Sequence, residues 1–114
     1  MERKIVFIDD EEDLCEIYVD LFSSQQNIVK SFSNPHDALS YINENEVTLC
    51  FIDYRMPEMN GMEIRKQISQ DLPCIILTGE LEVETTEGFV EVLHKPINID
   101  KIDEIINHYC DQTS

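Results

Sequence analysis

At 114 residues, with 42% hydrophobic side chains, the chain is long enough to form one globular domain with its own core. Its 24 acidic and 8 basic residues give a formal net charge of −16, which repels phosphate backbones and anionic lipids and so argues against nucleic-acid-binding and membrane-binding proteins. The same charge favours a divalent cation or a basic partner surface. We predict a single domain over residues 1–114, without an output domain.

The N-terminal segment and the cysteines indicate a cytoplasmic protein. The first apolar run is too short for a signal peptide or a membrane span. The four cysteines show no C-x-x-C spacing, and we interpret them as small buried side chains in a reducing compartment. A disulfide framework or a zinc site is the alternative. The residues concerned are Cys15, Cys50, Cys74 and Cys110.

The hydrophobic pattern alternates between strands and helices along the chain. Short apolar runs predict five strands, at residues 4–8, 28–32, 49–52, 74–77 and 89–93. Apolar residues at helical spacing predict helices over residues 13–24, from residue 35, and over residues 62–70 and 98–110. Asn34-Pro35 is typical of a helix start, because a capping side chain precedes a proline.

This alternation predicts an α/β fold, a doubly wound parallel sheet of five strands with helices on both faces. Polar residues interrupt strands 2 and 5, at Lys30 and Glu91, which favours edge positions for these two strands. The predicted strand order is therefore 2-1-3-4-5. In that order the chain reverses direction between strands 1 and 3, so a crevice is expected beside Asp9, Asp10 and Asp53.

The carboxyl ends of strands 1, 3, 4 and 5 carry the chemically useful side chains. They present three carboxylates, a hydroxyl and an ammonium group at one edge of the sheet. Clustered carboxylates repel one another unless a cation is bound, and Mg²⁺ prefers oxygen ligands together with a phosphate group. An aspartate can serve as the nucleophile that forms an aspartyl phosphate. The sequence thus favours a Mg²⁺-dependent phosphoryl site with Asp53 as the nucleophile.

Four motifs in order resemble the response-regulator receiver domain of two-component signalling. They are IVFIDDEED, FIDYRMPEMNG, ILTG and LHKP. The resemblance spans the whole chain and implies a flavodoxin-like receiver fold. It implies that Asp53 accepts the phosphoryl group, with Thr78 and Lys95 contacting its oxygens. Asp10 would bind Mg²⁺ directly.

The resemblance also implies further ligands and partners. Asp9 would act on Mg²⁺ through water, and the backbone carbonyl of Arg55 would complete the protein ligands. The phosphoryl donor would be a phosphohistidine of a sensor histidine kinase or of a histidine phosphotransfer protein. Such a domain catalyses only its own phosphorylation and dephosphorylation, so it is not otherwise an enzyme.

The expected output of a stand-alone receiver is protein contact, phosphorelay or phosphate sinking. The main alternative is a phosphorylation-independent interaction module that keeps the receiver fold. A flavodoxin-type cofactor binder is disfavoured, since an acidic loop and not a phosphate-binding loop follows strand 1. A haloacid-type phosphatase is disfavoured, because Arg55 occupies the place of a second aspartate.

Two features depart from the family pattern. Only 16 residues separate Thr78 from Lys95, which leaves room for no more than a shortened or irregular helix 4. Val92 stands three residues before Lys95, where receivers generally carry Tyr or Phe, so no aromatic ring can move there. We expect output to depend on ordering of residues 79–88, which amide exchange with and without phosphorylation would test.

Arg55 and Glu80 each lie two residues beyond a predicted site residue, Asp53 and Thr78 respectively. In receivers these positions flank the phosphoryl group and adjust its lifetime. Their opposite charges can pair across the mouth of the site and shield the acyl phosphate from water. Two separately solvated side chains are the alternative, because exposed pairs contribute only about 0–1 kcal/mol.

Overall fold

Parallel strands and helices alternate along residues 3–83 and 86–110, the part of the chain that the computed structural model describes. The strands are β1 (Arg3–Ile8), β2 (Asn27–Phe32), β3 (Leu49–Asp53), β4 (Cys74–Thr78) and β5 (Glu91–His94). The helices are α1 (Glu12–Phe22), α2 (Pro35–Glu44), α3 (Gly61–Gln67) and α4 (Ile99–Cys110). None of these helices is long and apolar enough to cross a membrane.

The five strands form one sheet in the order β2-β1-β3-β4-β5, and every neighbouring pair is parallel. All residues of β3 and β4 are buried, because helices cover both faces of these central strands. The edge strands are more open, with Lys30 exposed on β2 and Glu91 half-buried on β5. The predicted fold class and strand order are confirmed.

Two apolar clusters lie on opposite faces of the sheet. One cluster includes inward residues of α2 and α3, such as Ile42 and Ile64. The other includes inward residues of α1 and α4, such as Tyr18 and Ile105. All four cysteines are buried and free of disulfides, as predicted for small core residues. The sheet is thereby fixed between two packed layers, and its polar groups are left at the strand ends.

Side-chain caps fix where two of the helices begin. Asn34 accepts hydrogen bonds from the backbone N–H groups of His36 and Asp37, which confirms the predicted start of α2. Asn60 accepts from the backbone N–H of Glu63 at 2.9 Å, and the Glu63 side chain accepts from the Asn60 backbone N–H. This reciprocal pair starts α3 at the turn that follows Asp53.

Three predicted boundaries differ from the structure by two or three residues, and the others agree to within one residue. Helix α1 ends at Phe22 and not at residue 24, since Ser23 already has extended backbone. Helix α3 ends at Gln67 and not at residue 70, with Ile68 as its extended C-terminal cap. Strand β5 begins at Glu91, so Phe89 precedes it. In each case tertiary packing and backbone capping override the apolar pattern from which the range was predicted.

The connection between β4 and β5 contains no helix in its described residues, 79–83 and 86–90. Residues 84 and 85, which belong to the segment where output is expected, lie outside the described residues. Phe89 packs against the α2–α3 cluster. Gly88 has φ 88°, a conformation that favours glycine, and its carbonyl accepts a hydrogen bond from Arg65 Nε at 2.8 Å. A shortened or irregular helix 4 was predicted here, and the described residues of this connection form an irregular segment.

Candidate functional site

The predicted site residues meet at the carboxyl edge of the sheet. Asp9 and Asp10 follow β1, Asp53 ends β3, Thr78 ends β4 and Lys95 follows β5. One carboxylate oxygen from each of the three aspartates lies within 4.8 Å of the others. The sheet order therefore gathers side chains that are 86 positions apart in the sequence, from position 9 to position 95.

Backbone contacts hold these strand ends in place. The Lys95 N–H donates to the Thr78 carbonyl at 2.7 Å, and the Tyr54 N–H donates to the Leu77 carbonyl at 2.8 Å. Gly61 approaches the loop after Asp53 closely, since an added Cβ would lie 3.1 Å from the Asp53 carbonyl oxygen. The absence of a side chain at Gly61 thus lets the start of α3 approach the end of β3, where Asp53 lies.

Asp9 is fully buried, and its side chain is held by donors on both oxygens. Its Oδ1 accepts from the Glu11 N–H at 3.0 Å. Its Oδ2 accepts from the Tyr18 hydroxyl at 2.9 Å and from Lys95 Nζ at 3.0 Å. A buried carboxylate needs such donors, because burial disfavours its charge. Asp9 is therefore a fixed negative charge beneath the site, whereas Asp10 is exposed.

Lys95 bridges two of the acids. Its Nζ lies 3.0 Å from Asp9 Oδ2 and 3.4 Å from Asp53 Oδ2, and its side chain is 20% exposed. Burial acts to lower the pKa of Lys95, but the hydrogen bond to Asp9 and the charges of Asp53 and Asp9 outweigh it, so the pKa is raised. Lys95 therefore remains a cation and offsets one of the negative charges.

Asp53 has an unusual protonation equilibrium for a carboxyl group. Burial and then the charge of Asp9 raise its pKa to about 7, with a further contribution from a hydrogen bond to Asp10, while Lys95 opposes the rise. The charge of Lys95 thus does not outweigh the combined effect of burial and the neighbouring carboxylates on the pKa of Asp53. A carboxyl group that holds a proton near neutral pH is a weak nucleophile until another positive charge enters the site.

The remaining predicted residues of the site are Thr78, Arg55, Glu80 and Val92. Thr78 is buried, and its Oγ1 accepts from the Glu80 N–H at 3.0 Å, so its hydroxyl proton stays available for a second partner. Arg55 Nε lies 2.9 Å from Glu80 Oε1, which confirms the predicted pairing across the mouth. Val92 is half-buried on β5 beside Ile76 of β4.

The three aspartates fit a divalent cation. Their oxygens are close enough to share one ion. Burial and the charge of Asp9 raise the pKa of Asp53, and a bound cation would oppose that rise. Among the described residues this is the cluster whose side chains could together hold a metal ion. Hard oxygen donors of this kind suit Mg²⁺.

Tyr18 is a further residue of the site, which was not predicted: its hydroxyl donates to Asp9. Tyr18 is fully buried and stacks on Phe7, with ring centroids 4.4 Å apart. Burial and then the charge of Asp9 raise the pKa of Tyr18 well above its usual value, so the phenol keeps its proton and donates. A buried tyrosine hydroxyl requires a partner, and the acids at the end of the adjacent strand were the available signal.

The fold and the acidic site together are typical of one class of signalling domain. The chain belongs to the response regulator receiver domain family, whose sequence profile matches residues 5–107. It is therefore a receiver domain of the kind found in two-component response regulators. This membership confirms the resemblance carried by the four motifs.

Two curated relatives cover most of the chain. Sporulation initiation phosphotransferase F of Bacillus subtilis is 28% identical over 117 residues, which cover 96% of this chain and 94% of that protein. Transcriptional regulatory protein ZraR of Salmonella typhimurium is 31% identical over 111 residues, which cover 90% of this chain and 25% of that protein. The chain spans about a quarter of the length of the first curated relatives it matches.

Solved structures confirm the architecture. A two-component response regulator from Clostridium difficile superposes with a TM-score of 0.90 at 20% identity, covering 99% of this chain and all of that one. At this level of identity the likeness shows the fold alone. The helices and strands around the acidic site are thus arranged as in receiver domains.

Proposed function

We propose that Asp53 accepts a phosphoryl group from a phosphohistidine, with Mg²⁺ bound at the acidic cluster. The observation that carries the proposal is the convergence of three carboxylates and one ammonium group at the sheet edge, with the oxygens of the acids within 4.8 Å. Thr78 supplies a hydroxyl at the end of the neighbouring strand. Phosphoryl transfer requires chiefly such positioning and charge stabilisation.

The proposed reaction exchanges one bond to phosphorus for another. An Asp53 carboxylate oxygen donates an electron pair to phosphorus as the phosphorus–nitrogen bond of the phosphohistidine breaks, and the departing imidazole nitrogen takes that bond's electrons. Lys95, already 3.4 Å from Asp53, offers an ammonium group to the developing charge. The Thr78 hydroxyl donates a hydrogen bond to a phosphoryl oxygen.

Asp10 and Asp53 would hold Mg²⁺ directly, together with the Arg55 carbonyl, and Asp9 would act through water. The donors already satisfying Asp9 support this indirect role. When bound, the ion supplies positive charge that keeps Asp53 ionised and neutralises the phosphoryl oxygens. Asp10 is exposed and so is accessible to an ion that retains several waters.

Intact mass spectrometry tests the acceptor. After incubation with Mg²⁺ and acetyl phosphate, we expect the wild-type protein to gain one phosphoryl group and Asp53→Asn to gain none. Asp103→Asn, an exposed acid on α4, is the matched control and should be modified like wild type. A phosphoryl adduct that persisted in Asp53→Asn would refute Asp53 as the acceptor. A wild-type protein unmodified even by a phosphohistidine donor would favour the phosphorylation-independent interaction module.

We further propose that the domain acts as a stand-alone receiver in the cytoplasm. The match to 94% of the length of sporulation initiation phosphotransferase F supports this organisation. Its donor would be a sensor histidine kinase or a histidine phosphotransfer protein, and its output protein contact, phosphorelay or phosphate sinking. In its described residues the β4–β5 connection is held by the Arg65 hydrogen bond to Gly88 and by the packing of Phe89. The phosphorylated and unphosphorylated domain would therefore differ through this irregular segment.

Arg55→Ala is expected to shorten the lifetime of the phosphorylated protein by about threefold, because the pair with Glu80 closes one side of the mouth against water. The modest size follows from the exposure of both side chains, which limits the strength of the pair. Decay of the adduct after removal of acetyl phosphate measures the effect. Lys66→Ala, an exposed residue on α3, is the control. Equal lifetimes in wild type and Arg55→Ala would remove this role.

A further inference from the structure

The hydroxyl of Tyr18 reaches the acidic site from beneath. It lies 2.9 Å from Asp9 Oδ2, nine positions away in the sequence. The tyrosine ring is fully buried and cannot turn freely, because it stacks on Phe7 at 4.4 Å with an interplanar angle of 13°. Phe7 also stacks on Phe51 of β3 at 4.6 Å. The position of the hydroxyl is thus fixed by stacking of the Tyr18 ring on Phe7, which in turn stacks on Phe51.

We propose that Tyr18 is a positioning residue of the phosphoryl site, which fixes the Asp9 carboxylate for water-mediated binding of Mg²⁺. An ionised carboxylate only accepts hydrogen bonds, so the hydroxyl is the donor in this contact. The inference rests on the function proposed above, because it assigns Tyr18 to the same site.

The Tyr18 hydroxyl matters because it shares its acceptor, Asp9 Oδ2, with Lys95. Asp9 Oδ2 accepts from both Tyr18 and Lys95, while Oδ1 accepts from the Glu11 N–H. Lys95 must also serve Asp53 and the incoming phosphoryl group. With the Tyr18 hydroxyl in place, Asp9 Oδ2 keeps a neutral donor as the ammonium shifts towards Asp53. Without it, Lys95 would be the remaining side-chain donor to a fully buried charge, and Asp9 would compete for it.

Tyr18→Phe removes the hydroxyl and leaves the stacked ring. We expect the Kd for Mg²⁺ to rise about tenfold, the lower end of the loss of about 10–100-fold that is typical when a supporting hydrogen bond around a metal site is removed, because Asp9 acts on the ion through water. The measurement is a Mg²⁺ titration followed by the amide chemical shifts of residues 10 and 53. Tyr41→Phe is the matched control, because Tyr41 also lies on a helix and contacts an aromatic ring, Phe32, at 5.4 Å. Its Kd should remain within about twofold of wild type.

Two further measurements separate positioning from packing. Addition of Tyr18→Phe to Asp9→Asn should produce little further change in Kd, because residues that act through one contact are not additive. A purely structural role would lower the unfolding midpoint in EDTA and leave the Mg²⁺ affinity of the folded protein unchanged. Independent, additive effects on Kd would therefore overturn the proposal.

Failure of the proposed role of Tyr18 can be told apart from failure of the proposed phosphoryl transfer to Asp53. Wild-type protein that binds Mg²⁺ and gains a phosphoryl group, beside Tyr18→Phe with an unchanged Kd, would overturn the role of Tyr18 alone. Wild-type protein that shows neither saturable Mg²⁺ binding nor phosphorylation by a phosphohistidine donor would overturn both. A Kd that rises in Tyr18→Phe and stays constant in Tyr41→Phe is the supporting result.

Discussion

Asp53→Asn is expected to stabilise the protein in Mg²⁺-free solution, by about 2–4 kcal/mol at about pH 8. The reason is the pKa of Asp53, which burial and the charge of Asp9 raise to about 7 in the folded protein. In the unfolded chain the same group titrates near its ordinary value of about 4. Asparagine resembles the protonated acid and avoids the cost of ionising it in place.

The direction of the pH dependence follows from proton binding. Between about pH 4 and about pH 7 the folded protein keeps a proton on Asp53 that the unfolded chain has already released. Stability therefore falls as the pH rises through this window. At about 1.4 kcal/mol per unit of pKa difference, the wild type should lose about 3 kcal/mol between about pH 5 and about pH 8 from this group.

Urea unfolding at both pH values, in EDTA, measures the effect. All other side chains are common to wild type and mutant, so the difference between the two proteins isolates Asp53. Asp103→Asn removes an equal charge from an exposed position on α4 and should leave the pH dependence unchanged. A mutant no more stable than wild type at about pH 8 would contradict the raised pKa.

Mg²⁺ should narrow this difference in stability between wild type and Asp53→Asn. At about 100 times its Kd a ligand that binds only the folded state adds about 2.7 kcal/mol, and the wild type should gain this much while Asp53→Asn gains less. Equal gains in the two proteins would mean that Asp53 is not a ligand. Unfolding measured in EDTA and in Mg²⁺ thus tests Asp53 both as a buried charge and as a metal ligand.

Much of this fold could be predicted from the sequence, because the apolar runs, the polar interruptions and the strand order are consistent with one another. Unbroken apolar runs at β3 and β4 require burial on both faces, and Lys30 and Glu91 require edges, so strand order follows from physical chemistry. Since parallel strands end together, the order then gathers Asp53 with its neighbours. Family membership was predictable on a separate ground, the resemblance of four motifs to those of receiver domains.

Other features depend on tertiary contacts that no local pattern encodes. Phe89 reads as part of a strand, yet it packs against the α2–α3 cluster before the strand begins. Ile17 and Leu21 recur at helical spacing with Tyr18 but are 41% and 44% exposed, because α1 buries a narrower face than its apolar residues suggest. The hydrogen bond from Tyr18 to Asp9 joins two elements, so spacing along the chain could not reveal it.

Lys95→Met is expected to lower the free energy of unfolding by about 3 kcal/mol at about pH 8 in EDTA, as when one partner of a buried ion pair is removed. The ammonium group lies 3.0 Å from Asp9 and 3.4 Å from Asp53, and its side chain is only 20% exposed, so solvent cannot replace it. Phosphorylation by acetyl phosphate should slow about 100-fold, because a donor aimed at the developing charge is lost. Lys30→Met, which removes an equal charge from an exposed position on β2, is the control and should change stability by less than about 0.5 kcal/mol.

The pH dependence separates the charge of Lys95 from its packing. Methionine fills the volume of the lysine stem, so any packing loss is the same at every pH. The electrostatic loss should shrink towards about pH 5, because Asp53 is then protonated and one of the negative charges that Lys95 balances has disappeared. Mg²⁺ should restore stability in Lys95→Met more than in wild type, since the ion replaces the missing cation. A stability loss of equal size at both pH values, with no extra recovery in Mg²⁺, would show that Lys95 stabilises the fold through its stem and not through its charge.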